Sequence, residues 1–276
     1  MTSDLTSRAA YSVAKARHRW RKRRSSQAPI VVFSMAKTGS SAVVAALRAG
    51  GHDNVHHVHD LDPDFLAAEE AEYRWAGRPW RIWDAQELGR HLPTTSARWR
   101  VVSIARDPIA QSVSAFFQPG ARRGYLHEGA TVESLREQFA DRLDRLPLRW
   151  FESHVHPAFG IDVYETGFDP TQGHQIIATP TVDLLLLRRE DLASVAPAAL
   201  ARLVGDPRPI EVPQVNVAAG KDHAVLYASF LEALDPSEAS LDVAYSSRYV
   251  QHFYSADEIA QFRQRWSAGT SGRPRL

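Results

Sequence analysis

Short, unbroken apolar runs alternate along this chain with longer segments in which apolar residues return every three or four positions. Pro29 and the β-branched run Ile30 to Val32 read as a buried strand, Ser34 to Gly39 as a turn, and Ser40 to Leu47 as a helix that Gly50-Gly51 stops. A second strand covers Asn54 to His59, and Asp62-Pro63 then starts a helix that runs to Trp75. Trp80 to Trp83 reads as a third strand and Trp99 to Ala105 as a fourth. Arg106-Asp107-Pro108 follows and opens a helix through Phe117, with the proline in the first turn, where its missing N–H costs nothing.

Beyond this point the pattern becomes more helical. Thr131 to Trp150 is helical but interrupted by Pro147, and Ile161 to Glu165 reads as a short strand. Gln175 to Ala178 and Val182 to Leu187 flank Thr179-Pro180-Thr181 as paired strands. A helix from Glu190 to Leu203, a loop with three prolines over 205–215, and helices over Lys221 to Leu234 and Ser255 to Trp266 complete the reading. Strands alternating with helices predict an α/β fold: a P-loop-like, doubly wound parallel sheet flanked by helices, with helical C-terminal additions. The expected domain spans residues 29–268, with flexible tails at 1–28 and 269–276; no internal repeat or second-domain linker is visible.

Composition narrows the chemistry. There is no cysteine, which excludes a disulfide framework, thiolate metal ligation and a cysteine nucleophile, and favours an intracellular address. No apolar run approaches the roughly 18 residues of a membrane span, so the expectation is a soluble, cytoplasmic protein. The net charge of +1 is unevenly spread. Residues 1–28 hold eight Lys and Arg against Asp4, which makes the tail +7 and the remainder −6. A solvated arm is the simplest reading of that tail; peripheral contact with the inner membrane surface is the other, although Tyr11, Val13 and Trp20 form only a ragged apolar stripe. No nucleic-acid partner is expected.

The first candidate site is Phe33-Ser34-Met35-Ala36-Lys37-Thr38-Gly39-Ser40-Ser41, between a buried strand and a helix. Backbone N–H groups of such a turn face an anion, small residues let the backbone approach it, and Lys37 adds a point charge. The order departs from a Walker A loop: the lysine precedes the glycine, and no glycine lies upstream. Alone, the segment reads equally well as a plain strand-to-helix turn. The second site is Arg106, at the end of a strand, with Ser114 about two turns into the next helix. An arginine there can clamp a phosphate, and a serine hydroxyl can bind its remaining oxygens. The carboxyl ends of strands are where open α/β sheets bind ligands.

Together these two elements resemble the donor-binding elements of the PAPS-dependent sulfotransferase superfamily, PAPS being 3′-phosphoadenosine-5′-phosphosulfate. His57-Val58-His59, Asp162 to Glu165, Asn216 with Lys221, and Arg248 to Ile259 are similar to segments of the bacterial capsular polysaccharide synthesis branch. The resemblance spans residues 29–266; one departure is Ala36, where the superfamily usually has proline before the lysine. It implies a sulfotransferase that moves a sulfuryl group from PAPS to a hydroxyl of a carbohydrate or other small-molecule or envelope acceptor, leaving PAP and requiring no metal. It further implies that Lys37, Thr38, Gly39, Ser40 and Ser41 hold the 5′ end, with Lys37 at the leaving phosphate. Arg106 and Ser114 would hold the 3′-phosphate, and Lys221 would close over the nucleotide.

The acceptor hydroxyl needs a general base, and histidine suits neutral pH. In the strand reading His57 and His59 share one face, with His59 nearer the carboxyl end; His59 is the first candidate and His57 the second. Asp84 and Glu87 are further candidates, in a region where the superfamily also places catalytic residues. Two histidines with no third ligand do not define a metal site. Arg188 to Asp191 are similar to an Arg/Glu-Asp-Leu segment of many sulfotransferases, though Glu190 and Asp191 also simply favour a helix N-terminus. A nucleotide-dependent kinase and a non-catalytic binder of nucleotide or anionic glycan are the alternatives. Asp107 imitates a kinase metal ligand, but its place before Pro108 reads better as a helix cap.

Overall fold

The computed structural model describes residues 8–23, 28–75, 80–91, 98–117, 129–140, 146–213 and 224–267. Five strands form one sheet: β1 (Ile30–Phe33), β2 (Val55–Val58), β3 (Trp99–Ala105), β4 (His174–Ala178) and β5 (Val182–Arg188), in the order β2-β1-β3-β5-β4. Every pairing is parallel except that of edge strand β4 with β5. The central strands are unbroken apolar runs because both faces are covered. Val31, Phe33, Val58, Val101 and Leu184 face one core; Ile30, Val32, Val55, Val102 and Leu185 face the other.

Helices α2 (Ser40–Ala49) and α9 (Ala196–Val204) cover the second face. The first is covered by α4 (Trp80–His91), α5 (Pro108–Phe117), α6 (Val132–Ala140), α7 (Leu146–Trp150), α8 (His156–Phe159), α10 (Ala224–Ala233) and a C-terminal group, α11 (Glu238–Tyr245), α12 (Arg248–Phe253) and α13 (Ala256–Ser267). From β1 the chain moves outward to β2 and then crosses back to β3. Strand order therefore reverses between β1 and β3, which opens a crevice at their carboxyl ends.

Several expectations change. Trp80 to Trp83 is not a strand but the first turn of α4; four residues are too few to separate the two periods, and burial at Ile82, Ala85 and Leu88 follows the helical one. Ile161 to Glu165 holds a 3₁₀ turn because the Asp162 carboxylate accepts the Tyr164 N–H at 2.9 Å. Pro147 lies in the first turn of α7, which runs into a π-helical turn over Phe151–Val155. After β5 a 3₁₀ turn at Arg189–Asp191 precedes α9, whose first turn holds Pro197.

The basic tail is also not wholly a solvated arm. Residues Arg8–Arg23 form α1, docked on α3 (Pro63–Trp75) and α4. Tyr11 donates to Glu70 Oε1 at 2.5 Å and accepts from Trp83 Nε1 at 2.8 Å, while Lys15 Nζ reaches Glu70 at 3.0 Å. Among the described residues no helix is long and apolar enough to cross a membrane.

Candidate active site

The turn after β1 is shaped by what its carbonyls touch. The Ser34 carbonyl accepts from His59 Nδ1 at 2.6 Å, that of Met35 from the Thr38 hydroxyl at 2.9 Å, that of Ala36 from Gln111 Nε2 at 3.0 Å, and that of Lys37 from Arg106 Nη1 at 2.5 Å. In a trans peptide the following N–H points the opposite way. The carbonyls are thus turned onto the protein and the loop presents N–H groups outward, the arrangement of an anion nest. Lys37, at φ 71°, and Gly39, at φ 90°, supply the left-handed steps this path requires. Gly39 is also required sterically: a Cβ there would lie 2.6 Å from Leu192 Cδ1 and 2.9 Å from Arg189 Cδ. The N–H groups of Ser40 and Ser41, for which a helix start provides no intrahelical acceptor, extend the donor surface, whereas Ala42 N–H turns to the Gly39 carbonyl at 2.9 Å.

Not every residue of the loop offers its side chain. Thr38 is fully buried, and its hydroxyl is used inside the turn on Met35 and on Ser34 Oγ at 2.7 Å. Ser40 is buried as well, 2.9 Å from His57 Nε2.

Arg106 and Ser114 come together: Arg106 Nη1 reaches Ser114 Oγ at 3.0 Å while also holding the Lys37 carbonyl. One guanidinium therefore couples the two predicted anion elements across the β1/β3 crevice. Tyr227 of α10 lies beside Ser114, edge-on to Phe117 at 4.8 Å, and close enough to Arg106 to sense its charge. Burial holds the half-buried Arg106 below the ordinary arginine range; Glu190 opposes that shift and Arg189 adds to it.

The peptide that carries Arg106 is clamped by the C-terminal helices. Tyr249 OH accepts the Arg106 N–H at 2.8 Å and donates to the Arg106 carbonyl at 2.9 Å. Asp107, fully buried, caps α5 by accepting the Ile109 N–H at 3.1 Å, and takes Tyr245 OH and Trp266 Nε1 at 2.9 Å each. Burial raises its carboxyl above the usual range. The cap reading of Asp107 is thus what is found, and its carboxylate is committed to the protein. Glu190 and Asp191 do more than favour a helix start. Glu190 accepts the Asp107 N–H and Tyr254 OH, both at 3.0 Å. Asp191 pairs with Arg188, which also holds Glu258 and the Phe253 carbonyl.

Both histidine candidates lie at the loop, His59 at its entry and His57 at the start of α2, with ring centroids 4.7 Å apart. A carbonyl only accepts, so His59 Nδ1 is the donor to Ser34, and Nε2 of the neutral ring is its acceptor nitrogen. Asp60 follows, 3.5 Å from His154 Nε2; burial raises its carboxyl, but His154 and the Asp62 N–H outweigh that and hold it below the usual range. Asp84 and Glu87 are placed elsewhere. Asp84 is buried on α4, 3.5 Å from His56 Nδ1, and His56 and His57 project from opposite faces of β2. Glu87 pairs with Arg90 along the same helix. Asn216 and Lys221 lie outside the described residues.

Gln111, Tyr245, Tyr249 and Trp266 were not singled out from sequence. Gln111 left a trace, a polar residue at a buried position of an apolar helix; the aromatic clamps left none, their partners lying 138 or more residues away. A cavity of about 450 Å³ lined by Glu133, Arg136, Leu234 and Ser240 shares no residue with this site.

The chain is thus a mixed α/β protein with a mostly parallel five-stranded sheet and a crevice where its strand order reverses, in which the candidate residues gather. Over residues 126–255 the chain matches the family described as "Putative capsular polysaccharide synthesis protein". The match begins after both anion loops and takes in β4, β5, Tyr245 and Tyr249. Comparison with curated proteins and with solved structures gives no match.

Proposed function

We propose that this protein is a sulfotransferase that uses PAPS as donor and releases PAP, acting on a hydroxyl of a glycan or glycan-related acceptor. The observation that carries the reading is the double contact of Arg106, which joins an N–H-presenting loop to a second anion position at Ser114. A donor with anionic groups at both its 5′ and 3′ ends suits such a pair of sites. The capsular polysaccharide description of the matching family supports the glycan side.

In the proposed reaction the acceptor oxygen forms a bond to sulfur as the bond from sulfur to the bridging phosphate oxygen breaks. The acceptor proton passes to His59 Nε2 and then to solvent. Charge developing on the leaving phosphate is met by Lys37 and the loop N–H groups, fixed donors that need no reorganisation. His57 holds Ser40 at the head of α2. A kinase reading is weaker because Asp107 is occupied by a cap, a tyrosine and a tryptophan, which leaves it unsuited to holding magnesium.

Calorimetric titration with PAP, beside ATP with magnesium, tests the proposal. Tight PAP binding, weakened about 10- to 100-fold by Lys37→Ala and by Arg106→Ala through loss of charge-assisted contacts, is the expected result. Preference for ATP, or no PAP binding, would overturn it.

A further inference from the structure

Among the described residues the crevice holds a further cation, Arg189. Arg189, exposed in the 3₁₀ turn after β5, lies across the loop, its Cδ 2.9 Å and its Nε 3.2 Å from where a Cβ on Gly39 would be. The carboxylates beside it in sequence are engaged elsewhere: Asp191 with Arg188, and Glu190 with the Asp107 N–H and Tyr254. Among the described residues the Arg189 guanidinium makes no hydrogen bond or ion pair. Arg106 reaches the same loop two residues away, at the Lys37 carbonyl, and its guanidinium senses the Arg189 charge.

An arginine with no acid partner, sharing one loop with another arginine and lying over a turn that presents N–H groups, meets repulsion in the empty protein. An anion at the loop reverses the sign of that interaction. The fold also makes room for this approach, because a side chain on residue 39 would displace Arg189 and Leu192.

We propose that Arg189 is a third cationic binding residue of the crevice, closing over the Lys37–Ser41 loop to hold the phosphosulfate end of the donor. The assignment to phosphosulfate rests on the sulfotransferase reading; the assignment of an anionic, phosphate-like ligand at Arg189 does not. Arg189 is distinct in role from Arg188, which is buried and ties β5 to α12 and α13.

The test titrates wild type, Arg189→Ala, Arg189→Lys and Ser114→Ala with PAP, adenosine 5′-phosphosulfate and inorganic pyrophosphate, and records the melting temperature of each empty protein. Arg189→Ala should weaken PAP and adenosine 5′-phosphosulfate by similar factors, about 10- to 100-fold. Arg189→Lys should recover part of the loss, and Ser114→Ala should weaken PAP alone. The empty Arg189→Ala protein should melt no lower than wild type, because a repulsion has been removed; a clearly lower melt would mark Arg189 as a structural residue and count against the proposal. Unchanged PAP affinity in Arg189→Ala overturns it, and weakening of PAP alone overturns its placement at the 5′ end. If wild type ignores PAP yet binds pyrophosphate, and Arg189→Ala loses that binding, Arg189 stands as an anion residue and the sulfotransferase reading falls. If wild type binds none of the three, both fall.

Discussion

Tyr249→Phe removes a single oxygen from a fully buried ring that stacks on Phe151 at 6.0 Å and packs against Phe253 at 5.4 Å. That oxygen satisfies both the N–H and the C=O of Arg106. Each buried backbone group left without a partner costs about 1–3 kcal/mol. Because Arg106 is half-buried, the low end of the combined range of about 2–6 kcal/mol applies, about 2–3 kcal/mol. For a chain of 276 residues, unfolding entropy converts each kcal/mol into about 2 °C, so the melting temperature should fall by about 4–6 °C. Arg106 would also lose the fixed base from which it reaches Ser114 and the Lys37 carbonyl, and PAP affinity should drop about tenfold, equivalent to about 1.4 kcal/mol. Thermal melting followed by circular dichroism, paired with PAP titration, reads both effects. A variant that melts and binds like wild type would refute the argument that the C-terminal helices position Arg106. A lower melt with unchanged affinity would leave Tyr249 a purely structural role.

Three further perturbations follow from the same geometry. Gly39→Ala forces an L-residue into φ 90° against Leu192 and Arg189; a stability loss of at least about 1–2 kcal/mol and loss of PAP binding are expected from melting and calorimetry. Burial raises the Glu258 carboxyl, but the Ser255 N–H and Arg188 outweigh it and hold its pKa below the ordinary value. Its contribution to stability is therefore present above the unfolded pKa and lost as pH falls through the folded one. The stability gap between wild type and Glu258→Gln should stay constant in melts near neutral pH and shrink below about pH 4.5; a gap that widens on acidification contradicts this. Tyr11→Phe should loosen α1 from Glu70 and Trp83 by about 1 kcal/mol and speed tryptic cleavage at Lys15 and Arg17, measured by mass spectrometry.

The parts of the fold legible in the sequence were those with a local cause. Ile30 to Val32 and Trp99 to Ala105 are apolar because both sheet faces are covered, and Asp107-Pro108 marks a helix start by its own cap. Lys37, Arg106, Ser114, His57 and His59 gather at one end of the sheet because each follows or ends a strand, or lies in the turns of the helix after it, a placement that local spacing predicts. A strand over Trp80 to Trp83 would carry Asp84 to the same end; on a helix Asp84 turns instead toward His56. The clamps on Arg106 and Asp107 could not be read, since hydrogen bonds between positions far apart in the chain leave no periodicity. The segment Arg248 to Ile259, noticed only as a resemblance, turns out to carry Tyr249 and Tyr254 onto the strand ends that support the site.

The long reach of these clamps bears on how the protein comes to be folded. Tyr245, Tyr249 and Trp266 join Asp107 and Arg106 across 138, 143 and 159 residues. A growing chain exposes both crevice segments long before the residues that tie down the second one have been synthesised, and contacts of such separation form late because of their loop-closure cost. Nucleotide affinity should therefore be acquired at the end of folding rather than with the first strands. A ligand bound there would resist undocking of α12 and α13, so binding of the proposed donor would report whether the last helices have arrived.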